Sequence, residues 1–76
     1  MTSELVKILE AALAEFQESN EWFEEYKKTD NKLFWNESKD HDSKCRGLLK
    51  AYQIITGKNV YAFDILNELE TLNMQA

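Results

Sequence analysis

The sequence predicts an all-α protein, a long antiparallel helical hairpin followed by a shorter third helix. The 76 residues include no proline and only two glycines, and 43% of them are apolar, a composition that favours helix throughout. Two long stretches repeat apolar or small residues at alternating spacings of three and four, the pattern of one helix packed lengthwise on another. A short polar segment between them can form the turn.

The first helix is predicted over about residues 3–28. Its inward stripe consists of Leu5, Leu9, Ala12, Phe16, Ser19, Phe23 and Tyr26. Lys27 and Lys28 lie at the C-terminal end, where the helix dipole favours cations. Thr29, Asp30 and Asn31 suit a short turn before the next helix.

The second helix is predicted over about residues 32–56 and forms the other side of the hairpin. Its stripe consists of Phe34, Ser38, His41, Cys45, Leu48, Tyr52 and Ile55. Gly57 then supplies the left-handed position that commonly closes a helix. The alternative is a loop over residues 36–42, since no strongly apolar residue occurs between Trp35 and Cys45.

A turn at Asp30 fixes which residues of the two stripes meet. It places Tyr26 near Phe34 at the closed end of the hairpin, and Leu5 near Ile55 at the open end. Between them, Ser19 and His41 form a polar layer, a known way to fix the register of packed helices.

The third helix is predicted over about residues 60–73. One stripe holds Ala62, Ile65, Leu66, Leu69 and Leu72, while Val60, Tyr61 and Phe63 could instead be briefly extended. A helix of about 14 residues is roughly 20 Å long. Starting from the open end, it covers only about half of the hairpin.

Length and charge restrict the function. We expect one domain over residues 1–76, cytoplasmic, without a membrane segment and without cofactors. The formal net charge of −5 argues against direct nucleic-acid binding and leaves a solvated surface, a basic protein partner or imitation of nucleic acid. No catalytic or nucleotide-binding signature occurs, so the sequence predicts a protein that is not an enzyme.

A row of carboxylates on the first helix is the first candidate site. This acidic face consists of Glu15, Glu18, Glu21, Glu24 and Glu25. Carboxylates three and four residues apart on a helix repel one another unless nearby cations neutralise them. Such a row can imitate the phosphates of DNA. The alternative is a solvated helix face, neutralised in part by Lys39 and Lys44 of the second helix.

The closed end of the hairpin is the second candidate site. This aromatic end consists of Trp22, Tyr26, Leu33 and Trp35. An apolar patch left uncovered by a short third helix indicates a contact surface, most simply for a homodimer. The alternative is that the third helix packs over these side chains through Leu69, Leu72 and Met74.

His41 and Cys45 share one helix face, and they are the third candidate. A structural zinc site normally needs four ligands, and the chain has one histidine and one cysteine, so we expect no metal site. A Cys–His nucleophile would need a cleft and an orienting group, which the sequence does not indicate. The alternative is a metal-responsive sensor that binds metal through this pair.

Residues 43–58, SKCRGLLKAYQIITGK, resemble a segment of small uncharacterised helical proteins encoded by phages and prophages of low-GC Gram-positive bacteria. The resemblance covers about a fifth of the chain and contains no site motif. It implies a small accessory protein that binds host machinery or counters a host defence. The sequence thus predicts a phage-type inhibitor or regulator, with a purely structural helical oligomer as the alternative.

Overall fold

The computed structural model describes the backbone of residues 2–75 and the side chains of residues 3–74. Helix α1 spans Thr2–Thr29 and helix α2 spans Lys32–Thr56; a turn of 3-10 helix at Ala62–Asp64 then leads into α3, Ile65–Gln75. The described residues contain no strand, and α1 packs along α2. The prediction of an all-α fold, with a helical hairpin and a shorter third helix, is confirmed.

The hairpin turn is tight because Thr29, Asp30 and Asn31 form hydrogen bonds with main-chain groups at the ends of the two helices. Asp30 adopts a left-handed conformation with φ 56°, and its N–H donates to the carbonyl of Tyr26. Asn31 caps α2, its side-chain oxygen accepting from the N–H of Leu33 at 3.0 Å. Beyond this cap α2 is continuous, so the alternative of a loop over residues 36–42 is wrong.

The register of the hairpin differs from the predicted one by about one helical turn. Ser19 meets Ser38 rather than His41: each hydroxyl donates to the other residue's carbonyl at 2.9 Å. Two small side chains let the helices approach closely and satisfy each other's polar groups, whereas an imidazole would hold the helices apart. The polar layer exists, but His41 lies outside it and pairs with Glu15.

This register exposes two residues that the sequence analysis placed on the inward stripes of the two helices. The side chain of Phe23 is 39% exposed and that of Ile55 is 50% exposed. The buried apolar residues are Leu9, Ala12, Cys45, Leu49, Tyr52, Val60, Ile65 and Leu72. The core therefore occupies the half of the hairpin toward the open end.

The third helix begins in a different place from the one predicted. Gly57 closes α2 with φ 75°, and the following residues are not helical until Ala62. Val60, Tyr61 and Phe63 border a groove with Phe16 and Asp42, which lie near the middle of the hairpin. Residues 58–61 thus run back along α2, and α3 starts at mid-hairpin and returns toward the open end.

A buried carboxylate fixes α3 against the hairpin. Glu68 is 8% exposed and accepts hydrogen bonds from the Tyr52 hydroxyl at 2.5 Å and the Lys58 ammonium at 2.7 Å. Burial by itself raises the pKa of Glu68, but these hydrogen bonds and the charge of Lys58 outweigh it and leave the pKa below its usual value. Burial, followed by the bond to Glu68, raises the pKa of Tyr52.

Candidate protein-binding surfaces

The glutamates of the acidic face differ in their partners, and some turn inward while others face outward. The carboxylate of Glu15 turns toward α2 and lies 2.7 Å from His41 Nδ1, with Glu18 3.9 Å from His41 Nε2. Glu24 and Glu25 are paired within α1, with Lys27 at 2.8 Å and Lys28 at 3.8 Å. Within residues 2–75, Glu21 has neither a salt bridge nor a side-chain hydrogen bond. The outward part of the face is therefore Glu18, Glu21, Glu24 and Glu25.

Among the residues that the structure describes, the lysines of α2 form no salt bridge with this face, although the hydrogen bond to Asp40, with a smaller contribution from the charge of Glu15, raises the pKa of Lys44. Lys44 pairs with Asp40 of its own helix at 3.2 Å, and the ammonium of Lys39 lies over the Trp35 ring, 5.2 Å from its centroid. Across the part of the chain that the structure describes, no lysine or arginine of α2 forms a salt bridge with an acid of α1.

Trp22 lies at the centre of the acidic face. Its half-buried ring stacks on Phe34 of α2, with centroids 5.4 Å apart and planes at 29°. A shallow depression at this point is lined by Glu18, Glu21, Trp22, Glu24 and Glu25. The two predicted sites therefore meet here, because Trp22 of the aromatic end and four glutamates of the acidic face line the same depression.

The rest of the aromatic end lies at the turn, beyond the reach of α3. Trp35 contacts both Tyr26 and Phe23, with ring centroids 5.4 Å and 6.1 Å away. Leu33 is 69% exposed and Trp35 is 37% exposed. Phe23 also belongs to the closed end, but its periodicity predicted that it packs between the helices, and the shifted register leaves it 39% exposed. Leu72 lies in the core with Leu69 packed against it, and Met74 is 86% exposed, so the alternative that α3 covers the aromatic end through these residues is wrong.

His41 and Cys45 occupy different surroundings. His41 is half-buried among the carboxylates of Glu15, Glu18 and Glu37, whereas Cys45 is fully buried in the core. Burial, then the nearby charge of Asp42, raises the pKa of the Cys45 thiol, which disfavours the thiolate that a nucleophile or metal ligand requires. No group of three or more His, Cys, Asp or Glu residues within the described range could hold a metal ion.

Comparison with known proteins adds no further assignment to this geometry. None of the helices within residues 2–75 is both long enough and apolar enough to cross a bilayer. Searches against protein-family models, curated proteins and solved structures found no match to this chain.

Proposed function

We propose that this protein is a small, non-enzymatic binding module whose acidic face recognises a basic surface of another protein. The observation that carries the proposal is the environment of Trp22. Phe23 and Trp35 each have a lysine of the chain over the ring, Lys27 at 5.3 Å and Lys39 at 5.2 Å. The structure places no such cation over Trp22 within the residues it describes, although four glutamates line the depression at this ring.

An arginine or lysine of a partner protein would satisfy this site in two ways. Its charge would lie over the exposed surface of the Trp22 ring, an attraction of about 0.5–2 kcal/mol depending on desolvation. Its N–H groups would donate to Glu18 and Glu21, and a guanidinium can do so in a bidentate manner. An exposed acidic row alone would contribute much less, because water and salt screen it.

The spacing of the carboxylates suggests which basic surfaces fit. Glutamates three and four residues apart on a helix have Cβ atoms about 5–6 Å apart, so they form a regular row of negative charge, as the phosphates of a nucleic-acid strand do. We therefore infer that the partner is a protein with a nucleic-acid-binding surface. Together with the resemblance of residues 43–58 to phage proteins, this supports a role as an inhibitor or regulator of a bacterial host protein.

The test is selective retention of bacterial proteins on the immobilised protein. We expect the double variant Glu18→Lys with Glu21→Lys to lose the retained basic proteins. The matched control, Glu10→Lys with Glu70→Lys, changes the net charge equally at exposed glutamates elsewhere and should keep them. Equal losses in both variants would mean that only net charge matters, and equal retention would favour a structural oligomer with no outside target.

Trp22 gives a direct spectroscopic readout of the same event. In a Trp35→Phe background, Trp22 is the sole tryptophan, and its emission should change when a retained partner binds. Duplex DNA should compete with this change if the partner's nucleic-acid surface is the one engaged, and added salt should weaken the complex. A complex that forms without a change in Trp22 emission would contradict the proposed position of the contact.

The aromatic end supports a second proposal, that the chain forms a homodimer. Leu33, Phe23 and Trp35 leave apolar surface at an end that α3 does not reach. Aromatic side chains of this kind commonly anchor interfaces. A dimer joined at the turn would leave Glu18 and Glu21 free for an outside partner.

A further inference from the structure

A groove on the side of the hairpin carries no assigned role. It lies between α2 and the segment 59–63, and its volume is about 530 Å³. Phe16, Leu49 and Val60 form its apolar floor, and the rings of Tyr61 and Phe63 rise from one wall. These two rings stack in parallel, with centroids 5.7 Å apart and planes at 5°, and they are 56% and 76% exposed.

One wall of the groove is made by residues 59–61, where some main-chain groups are unpaired in the part of the chain that the structure describes. Tyr61 has extended backbone angles, φ −89° and ψ 158°, and its C=O accepts from the N–H of Asp64 at 2.9 Å. The side chains alternate, with Val60 buried and Tyr61 exposed. Within the described residues, the main-chain N–H and C=O groups of Asn59 and Val60 have no hydrogen-bond partner. Such groups can pair with the main chain of an added extended segment.

The opposite wall belongs to α2 and carries two cations and one carboxylate, Lys50, Arg46 and Asp42. Lys50 borders the groove and has no salt bridge to any residue that the structure describes. Arg46 lies one turn before it, 79% exposed and paired with Asp42 of its own helix at 3.0 Å. In a chain of net charge −5, this groove therefore offers one cation that is unpaired within residues 2–75, Lys50, beside an apolar floor.

We propose that this groove binds an extended, acidic segment of a partner protein. The segment pairs its main chain with Asn59 and Val60, inserts an apolar side chain beside Phe63, and directs carboxylates toward Lys50 and Arg46. A second copy of this chain fits less well, because the acids of α1 belong to a helix whose main chain is already hydrogen-bonded. The occupant is thus a segment of another protein that is extended when bound.

The probe is a synthetic hexapeptide, acetylated Glu-Leu-Asp-Phe-Glu-Leu amide, added to ¹⁵N-labelled full-length protein. The amide signals of residues 59–63 and of Lys50 should shift as the peptide is added. Lys50→Glu should weaken binding by about tenfold, since it replaces an attraction with a repulsion. The matched control Lys32→Glu reverses an exposed lysine at the closed end and should leave the affinity unchanged.

A second peptide tests the strand pairing. The same hexapeptide with alternate amides N-methylated keeps its charges and side chains but loses main-chain donors, so it should fail to bind. Equal binding of the methylated peptide would overturn the proposal, as would equal effects of the two lysine variants or shifts confined to the closed end. Shifts of residues 59–63 on raising the protein concentration without peptide would also overturn it, since the occupant would then be a second copy.

Discussion

At the scale of single residues, Glu68 links three parts of the chain. Tyr52 comes from α2, Lys58 from the segment after it and Glu68 from α3. A buried carboxylate that lost its partners would strongly disfavour the docked helix. The docked position of α3 therefore depends on this polar contact as well as on Ile65 and Leu72.

Replacing Tyr52 by Phe should destabilise the protein by about 1–2 kcal/mol, because one hydrogen bond to the buried Glu68 carboxylate is lost while the ring is kept. Urea unfolding followed by circular dichroism measures the change. The control Tyr61→Phe removes an exposed hydroxyl and should alter stability by less than about 0.5 kcal/mol. Equal stability of Tyr52→Phe and the parent would contradict this role of the hydroxyl.

The same contact should make stability depend on pH. The pKa of Glu68 is lowered in the folded state, so its contribution is present above its unfolded value of about 4.3 and is lost as the pH falls through the folded value. Glu68→Gln should therefore be less stable than the parent at pH 7 by about 1–2 kcal/mol. This difference should shrink below about pH 4, and urea unfolding across the pH range measures it. A difference that stays constant with pH would contradict this assignment.

At the scale of elements, the two glycines provide a matched pair. A methyl group added at either Gly47 or Gly57 would meet no atom within 4 Å, so the two sites differ in backbone conformation and not in available space. Gly57→Ala should destabilise by about 1 kcal/mol, because φ at this residue is 75°. Gly47→Ala lies inside α2 and should stabilise by up to about 1 kcal/mol. Destabilisation of both by thermal unfolding would contradict this account.

The elements were predictable where they depended on local pattern, and the contacts between them were less so. Periodicity and the glycine stop indicate the hairpin, and they place Leu9, Ala12 and Tyr52 correctly in the core. The register was not predictable, because alternating spacings of three and four fit several alignments, and the two serines decide between them by reciprocal hydrogen bonds.

The candidate sites were predictable to a similar degree. The acidic face and the aromatic end can both be recognised in the sequence, but the residues that pair with their charged groups cannot. A lysine can reach any of several groups around its helix, and only the folded arrangement places Lys39 over Trp35 and pairs Lys44 with Asp40. Glu68 is not singled out in the sequence analysis, although its position on the apolar side of α3, between Ile65 and Leu72, indicates a buried carboxylate.

At the scale of the whole molecule, the chain is elongated and exposes more surface than a compact monomer would. Its extents are 44 × 21 × 16 Å and its accessible area is 5345 Å². A compact monomer of 8.9 kDa is expected to expose about 4,800 Å². The excess, roughly 500 Å², approaches the roughly 800 Å² per partner of a standard protein interface. Self-association at the aromatic end is consistent with this excess.

Mass in solution should therefore rise with concentration from 8.9 kDa toward twice that value, measured by light scattering after gel filtration over about a hundredfold range. The double variant Leu33→Ala with Trp35→Ala should remain a monomer, because it removes the exposed anchors of the aromatic end. The control, Phe63→Ala with Leu66→Ala, removes comparable exposed apolar surface beside α3 and should still dimerise. A parent that stays monomeric at every concentration, or a control that becomes monomeric too, would contradict a dimer joined at the turn. Trp35 would then be available to a foreign protein beside the acidic face.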